Sequence, residues 1–314
     1  MQDFMSFLNE KILKQMPRSE LMIKLQLKYD EFAGLDAITL SRWSNGVTKP
    51  SLYRQLLIAH CVGCLDEYFE RCDVPKVPKI NEVQFRQYTS QFDSSYHQIK
   101  TQSIDSKVKY LKSTNKTTRR LYEYTFNIPS ITEVVEHLDK QNITFDVETF
   151  YIESSEDIES CVYFHEYCEG IIEKFGVEEK INELNIDIDN LLFFGLTYFR
   201  SSVHCEVLLG LALNRLIHSY FNIPDTLLVA RGSTSMRFLE ELGANLVHSR
   251  QQVKGLGNMY IYHINTQKLC SNPKLLSLAV QYHPVYAHYF QEDKPRELNL
   301  DERLYEQLKQ PITK

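Results

Sequence analysis

The stretch Asn190–Phe199, NLLFFGLTYF, constrains the fold more than any other part of the chain. A nearly continuous apolar run that is far too short to span a membrane reads as a strand buried on both faces. Such a strand needs cover above and below, and the following residues supply it. Apolar positions at Val207, Leu208, Leu211, Leu213, Leu216 and Ile217 predict a long buried helix over Cys205–Phe221, ending before Pro224. A strand TLLVA (Thr226–Ala230), a helix from near Ser233 to Gly243, and two strands, ANLVHS and NMYIYHI, come next. Upstream, TFDVETFYI (Thr144–Ile152) is rich in β-branched and aromatic residues and predicts a strand. Ser154 or Ser155 then predicts the cap of a helix opening on Glu156, Asp157 and Glu159, with His165, Glu166 and Cys168 further along it. The expected class is therefore α/β from about residue 121 onward.

The first third reads differently. Residues 1–74 alternate short helical patterns with polar turns, and VPKVPK around Val74–Lys79 holds two prolines that force extended backbone. The expected division is a helical domain over 1–74, a basic connecting segment over 75–120 and an α/β domain over 121–314. Within the middle segment Phe85, Tyr88, Phe92 and Tyr96 fall at helical spacing, as in a helix that docks on another surface.

Within the helical part, Gly34–Gly63 is the most informative stretch. Asp36 is a favoured N-cap for a helix over Ala37–Ser44, which buries Leu40 and the only tryptophan, Trp43, and which Asn45-Gly46 ends. A further helix from Pro50-Ser51 sets Leu52, Leu56, Leu57 and Ala59 behind it. A short helix held over an apolar base is how a helix-turn-helix offers polar side chains to the DNA major groove. The residues TLSRWSNGVTKPSL resemble the recognition-helix pattern of the Cro/phage-repressor (XRE) class, over roughly Arg18–Gly63. That resemblance implies that Ala37, Ile38, Thr39 and Arg42 face base edges and that Asn45 and Lys49 meet phosphates. Ala37 and Ile38 depart from the polar readers common in the class, and imply apolar contact with thymine methyl groups.

Net charge argues against nucleic acid only if it is taken as an average. The chain carries −6, yet residues 76–120 hold ten Lys/Arg against three Asp/Glu, and residues 121–200 hold four against eighteen. A basic stretch directly behind the helical domain suits a phosphate partner. The amphipathic amino end lacks the long apolar core of a secretory signal, and seven cysteines at irregular spacing do not form a disulfide framework, so the expected setting is the cytoplasm. His60, Cys61, Cys64 and Cys72 have no second Cys-x-x-Cys pair and read as packing residues, so no metal is expected from them.

The stretch Asn190–Ile264 resembles the second half of the GNAT acetyltransferase fold, shared by acyl-homoserine-lactone synthases, through its central strand, long helix and the sequence STSMRFLEELGANLVHS. The resemblance implies a mixed sheet with an open site between splayed central strands, suited to an acyl or acyl-coenzyme A ligand. The family's glycine-containing pyrophosphate loop is missing: that position reads FRSSVHCEV, Phe199–Val207. Arg200, Ser201 and Ser202 remain candidates for holding an anion, as do Arg231, Gly232 and Ser233 at a strand-to-helix turn. His204, Cys205 and Glu206 are neighbours on a helix and do not meet, so no catalytic residue is assigned. Tyr260, Tyr262, Tyr282 and Tyr286 read as pocket or core residues. The sequence thus points to a two-domain regulator. It would bind a double-stranded inverted-repeat operator, expected as a homodimer, while its α/β part senses a small effector, dimerises, or does both, with no cofactor and no membrane partner; a GNAT-type acyltransferase with an accessory helix-turn-helix is the alternative.

Overall fold

A computed structural model of the protein describes residues 3–73, 76–93, 106–119, 129–154, 158–167, 169–195, 197–251, 258–292 and 296–299. Tyr96, Ser155, Glu156, Asp157 and Cys168 lie outside the described residues. Strands β1 (Lys107–Thr114), β2 (Asp146–Glu153), β3 (Ile158–His165), β4 (Leu191–Phe194), β5 (Asp225–Arg231), β6 (Asn245–Gln251), β7 (Asn258–Asn265) and β8 (Arg296–Asn299) form one mixed sheet. Its order is β6-β7-β5-β4-β3-β2-β1-β8, and the β4–β5 pair is parallel while its neighbours are antiparallel. The fold class is therefore mixed α/β.

The structure corrects the sequence reading in three places. The acidic stretch expected to open a helix instead leads into β3, whose IESCVYFH is buried almost throughout and pairs with β2 and β4. Burial on both faces outweighs the charged residues before it, and His165 ends that strand. Second, residues 107–114, inside the segment read as connecting, form β1; Val108 and Tyr110 point into the core while lysines alternate with them. Third, the central strand is shorter than its apolar run. Regular pairing with β5 ends at Phe194↔Leu228, while β5 continues beside β7 to Arg231↔Met259. The chain beyond β4 stays with β3 instead: Gly195 N–H donates to Tyr163 O, and Tyr198 and Cys161 exchange backbone bonds at 3.0 and 2.8 Å. At Gly195 an added Cβ would lie 2.0 Å from the Tyr163 ring, so only glycine fits.

Among the described residues the main helices that lead up to the sheet or flank its first strands are α1 (Phe4–Phe7, continued by a π turn over Leu8–Ile12), α2 (Arg18–Lys28), α3 (Ala37–Ser44), α4 (Leu52–Cys61), α5 (Leu65–Arg71), α6 (Lys79–Ser90) and α7 (Pro129–Lys140). After β3 come α8 (Glu169–Phe175), α9 (Glu178–Glu183), α10 (Ser202–Arg215, continued by a π turn over Leu216–Tyr220), α11 (Gly232–Glu241), α12 (Thr266–Cys270) and α13 (Pro273–Tyr289).

One face of the sheet packs on α10 and α13, and the amino-terminal helices pack on the far side of that pair. A single buried cluster runs from Phe4 and Leu8 through Phe69, Leu211 and Ala279 to Phe150 on the sheet. Phe69 of α5 lies edge-on to His283 of α13, and His60 of α4 meets Phe221. At full burial a phenylalanine such as Phe69 or Phe221 contributes roughly 1.5–3 kcal/mol. The opposite face of the sheet is covered by α7, α8 and α9 through a second cluster around Ile171, Ile181 and Phe193. Between α10 and β2, Arg215 donates to Glu148 from Nε and Nη2 at 2.7 and 2.9 Å, and Tyr220 donates to the same carboxylate at 2.6 Å.

Candidate functional site

The helix α3 begins where the sequence places it. Asp36 accepts the Thr39 backbone N–H at 2.6 Å, which holds its carboxyl below the usual range. Leu40 and Trp43 are buried against the other amino-terminal helices, so the face one turn away is turned outward. Ala37, Ile38 and Arg42 lie exposed on α3, with Thr39 half-buried beside them, and Asn45 and Lys49 are exposed in the turn that follows. Ile38 is 69% exposed, unusual for a large apolar side chain with a core this close. Arg54 engages Glu31 at 2.6 Å, and the exposed Arg42 lies close enough to Asp36 for its charge to help lower that carboxyl. The turn is fixed by Gly46 at φ +70, where an added Cβ would press on the Met5 sulfur at 2.6 Å; Val47 N–H closes it on Arg42 O. Helix α2 adds two further exposed apolar side chains, Ile23 and Leu27.

A second candidate site lies where β4 and β5 part. Here an apolar cavity of about 440 Å³ opens between them. Phe194, Leu213, Leu228, Phe238 and Leu239 wall it, with Gln91, Thr197, Arg231 and Ser235 as polar groups. Helix α6 roofs it: Tyr88 stacks on Phe238 with centroids 4.2 Å apart, and Phe92 lies edge-on to Phe199. The helical spacing of Phe85, Tyr88 and Phe92 thus marks a docked helix, as the sequence suggests. A volume of this size suits a small, largely apolar molecule or acyl chain.

Of the anion candidates, one group adjoins this cavity and the other does not line it. Arg231 lines it, followed by Gly232 and Ser233 at the start of α11. Arg200, Ser201 and Ser202 sit at the start of α10 and are already engaged within the chain. Arg200 pairs with the buried Glu159, Ser201 Oγ accepts the His204 N–H, and Ser202 N–H donates to Asp93 Oδ1 at 2.8 Å. Asp93 thus places a carboxylate where the amide end of α10 faces out, a position the sequence offered no signal for.

His204 is buried, lies 2.9 Å from Ser160 Oγ and is pushed down to about 4 by burial and by the nearby Arg200, while burial lifts the Cys205 thiol well above its usual range. Burial thus favours the neutral imidazole of His204 and the protonated thiol of Cys205. Tyr262, Tyr282 and Tyr286 are core residues; Tyr282 packs where Gly210 leaves no room for a Cβ. His60 contacts Tyr29, and burial raises Cys64 and Cys72 to about 12. Among the described residues no helix is long and apolar enough to cross a membrane. Compared with known proteins, the chain matches no protein-family profile, and no curated protein is significantly similar to it.

Proposed function

We propose that the protein is a sequence-specific DNA-binding transcriptional regulator whose α/β part senses a small apolar effector, dimerises, or does both. The observation that carries this reading is α3, a capped eight-residue helix with Leu40 and Trp43 on its buried side and Ile38 and Arg42 turned outward, with Lys49 exposed in the turn after it. A side chain as apolar as Ile38 in that position suits a thymine methyl, and Arg42 suits guanine or phosphate. The five helices α1 to α5 in succession, with α3 third, support the helix-turn-helix reading of TLSRWSNGVTKPSL. The cavity beneath α6 supports effector binding, since a ligand there would contact the helix that follows the DNA-binding part.

Selection of bound sequences from a random double-stranded pool tests this directly. The expected result is a partly palindromic consensus with affinity falling steeply as salt rises, the mark of phosphate contacts released against counterions. Failure to enrich any sequence, or salt-independent binding, overturns it.

The second reading, a GNAT-type acyltransferase, is favoured by the sheet order with its parallel β4–β5 pair and by the cavity at their divergence. Against it stands Asp93, whose negative charge on the first turn of α10 repels a pyrophosphate there. A rise in melting temperature with acetyl- or acyl-coenzyme A would favour the enzyme; none with any thioester favours the regulator.

A further inference from the structure

Three side chains from distant parts of the chain converge where the amino-terminal helices meet the α/β body. Asp66 comes from the first turn of α5, His218 from the π turn after α10, and His283 from the middle of α13, beside the in-helix Pro284. His218 Nε2 lies 2.9 Å from Asp66 Oδ1, His283 Nε2 lies 3.8 Å from it, and the three ligand-type atoms sit within 4.8 Å of one another.

The hydrogen bonds around them fix both tautomers. His218 Nδ1 faces the backbone carbonyl of Asn214 at 2.7 Å, and a carbonyl only accepts, so Nδ1 carries the proton. Asn214 Nδ2 donates to Gly210 O and Ala279 O at 2.8 and 2.7 Å, which uses both its hydrogens and leaves Oδ1 as the acceptor facing His283 Nδ1 at 3.2 Å. That nitrogen is therefore also the protonated one. With Nδ1 so engaged on both rings, each Nε2 is the atom turned toward the Asp66 carboxylate, and a cation between them, a metal ion or a proton on the ring, is what the arrangement calls for. Three electron-pair donors around one point are mutually repulsive until a cation occupies it. His283 is 3% exposed and packs edge-on to Phe69, which fixes the plane of its ring. One residue, Asn214, orients both rings from behind, as outer-shell carbonyl groups commonly do for metal-bound histidines. The π turn is what carries His218 into line with it, and such turns recur at functional sites.

We propose that Asp66, His218 and His283 bind a divalent transition-metal ion, zinc by the character of the donors: two imidazole nitrogens and one carboxylate, with a fourth position for water. Asp66, half-exposed, leaves the solvent side open for entry, and a cleft lined by Phe69, Glu70, His283 and His288 runs alongside. Bound there, the ion would pin α5 to α10 and α13, joining the amino-terminal helices to the body independently of the DNA reading.

Cobalt(II) titration of the chelator-treated full-length chain tests the site, because a four- or five-coordinate ion with nitrogen and oxygen donors gives visible d–d absorption. The expected result is saturation at one equivalent, without the intense near-ultraviolet charge transfer of thiolate ligands, and a rise in melting temperature with zinc but not with magnesium. Asp66→Asn keeps the shape of an exposed side chain, and His283→Gln removes one nitrogen; each should weaken cobalt by more than about 100-fold, beyond the ~10–100-fold typical for loss of an outer-shell partner. Circular dichroism and the metal-free melting temperature of each variant report whether it folds. Absence of the visible band with no zinc-dependent stabilisation overturns the proposal. So does cobalt binding that survives unchanged in folded Asp66→Asn, or a spectrum dominated by thiolate.

Discussion

Asp93 Oδ1 accepts the backbone N–H of Ser202 at 2.8 Å, so the end of the roof over the cavity is tied to the first turn of α10. The bond does the work of a capping side chain supplied from over a hundred positions upstream in the chain. Asp93→Ala should cost about 1 kcal/mol in denaturant unfolding. The same change should quicken entry of an apolar fluorescent probe into the cavity, because α6 loses an anchor. Equal stability and equal probe kinetics would show that the bond contributes nothing.

Arg42 and Lys49 should separate base reading from phosphate contact. If Arg42 pairs with guanine, Arg42→Ala loses about 1–3 kcal/mol on the selected site and flattens sequence preference. Lys49→Ala should weaken all sequences alike and reduce the salt slope by about one. Neither side chain is part of the core, so both variants should melt with the parent. Gel-shift titrations over a salt series, on the selected and a scrambled duplex, read both effects.

The bidentate contact between Arg215 and Glu148 is buried, and breaking it from one side strands a charge. Glu148→Gln alone should cost on the order of 3–5 kcal/mol. Replacing both residues with methionine should recover most of that loss, since an apolar pair of similar volume needs no partner. Lys112, 3.4 Å from the same carboxylate, and the Tyr220 hydroxyl limit the recovery. Urea midpoints of the single and the double variant read both effects.

Acidification should destabilise the fold through buried neutral histidines. Burial holds His165 down to about 3 and His204 to about 4, against 6.5 for an ordinary histidine. The unfolded chain therefore binds protons more readily than the folded one below pH 6.5, and stability falls as pH drops from there toward 4. Each such group contributes up to about 1.4 kcal/mol per pH unit across that window. Urea midpoints measured across the window should decline, and His165→Phe should flatten the slope if it folds.

How much of this was legible in the sequence depended on whether a signal was local. Asp36, Trp43 and Gly46 lie within one short stretch, and α3 formed where cap, periodicity and turn agreed. The strand β3 was misread because Ser154 and the acidic residues after it imitate a helix start, while the deciding fact, pairing on both edges, lies in β2 and β4. Strand β1 was hidden among lysines for the same reason: its partners are β2 and β8. Two carboxylates of the acidic block, Glu148 and Glu159, turned out to face arginines inside the fold and not solvent. Asp66, His218 and His283 come from three separate helical elements, so no spacing rule could have joined them.

The uninterrupted core beneath α4 and α5 bears on how such a chain could be shuffled. An excised segment ending near residue 73 would present Phe69 and His60, now packed on α13 and Phe221, to water. Recombination could not graft the amino-terminal helices onto a foreign body without rebuilding that seam.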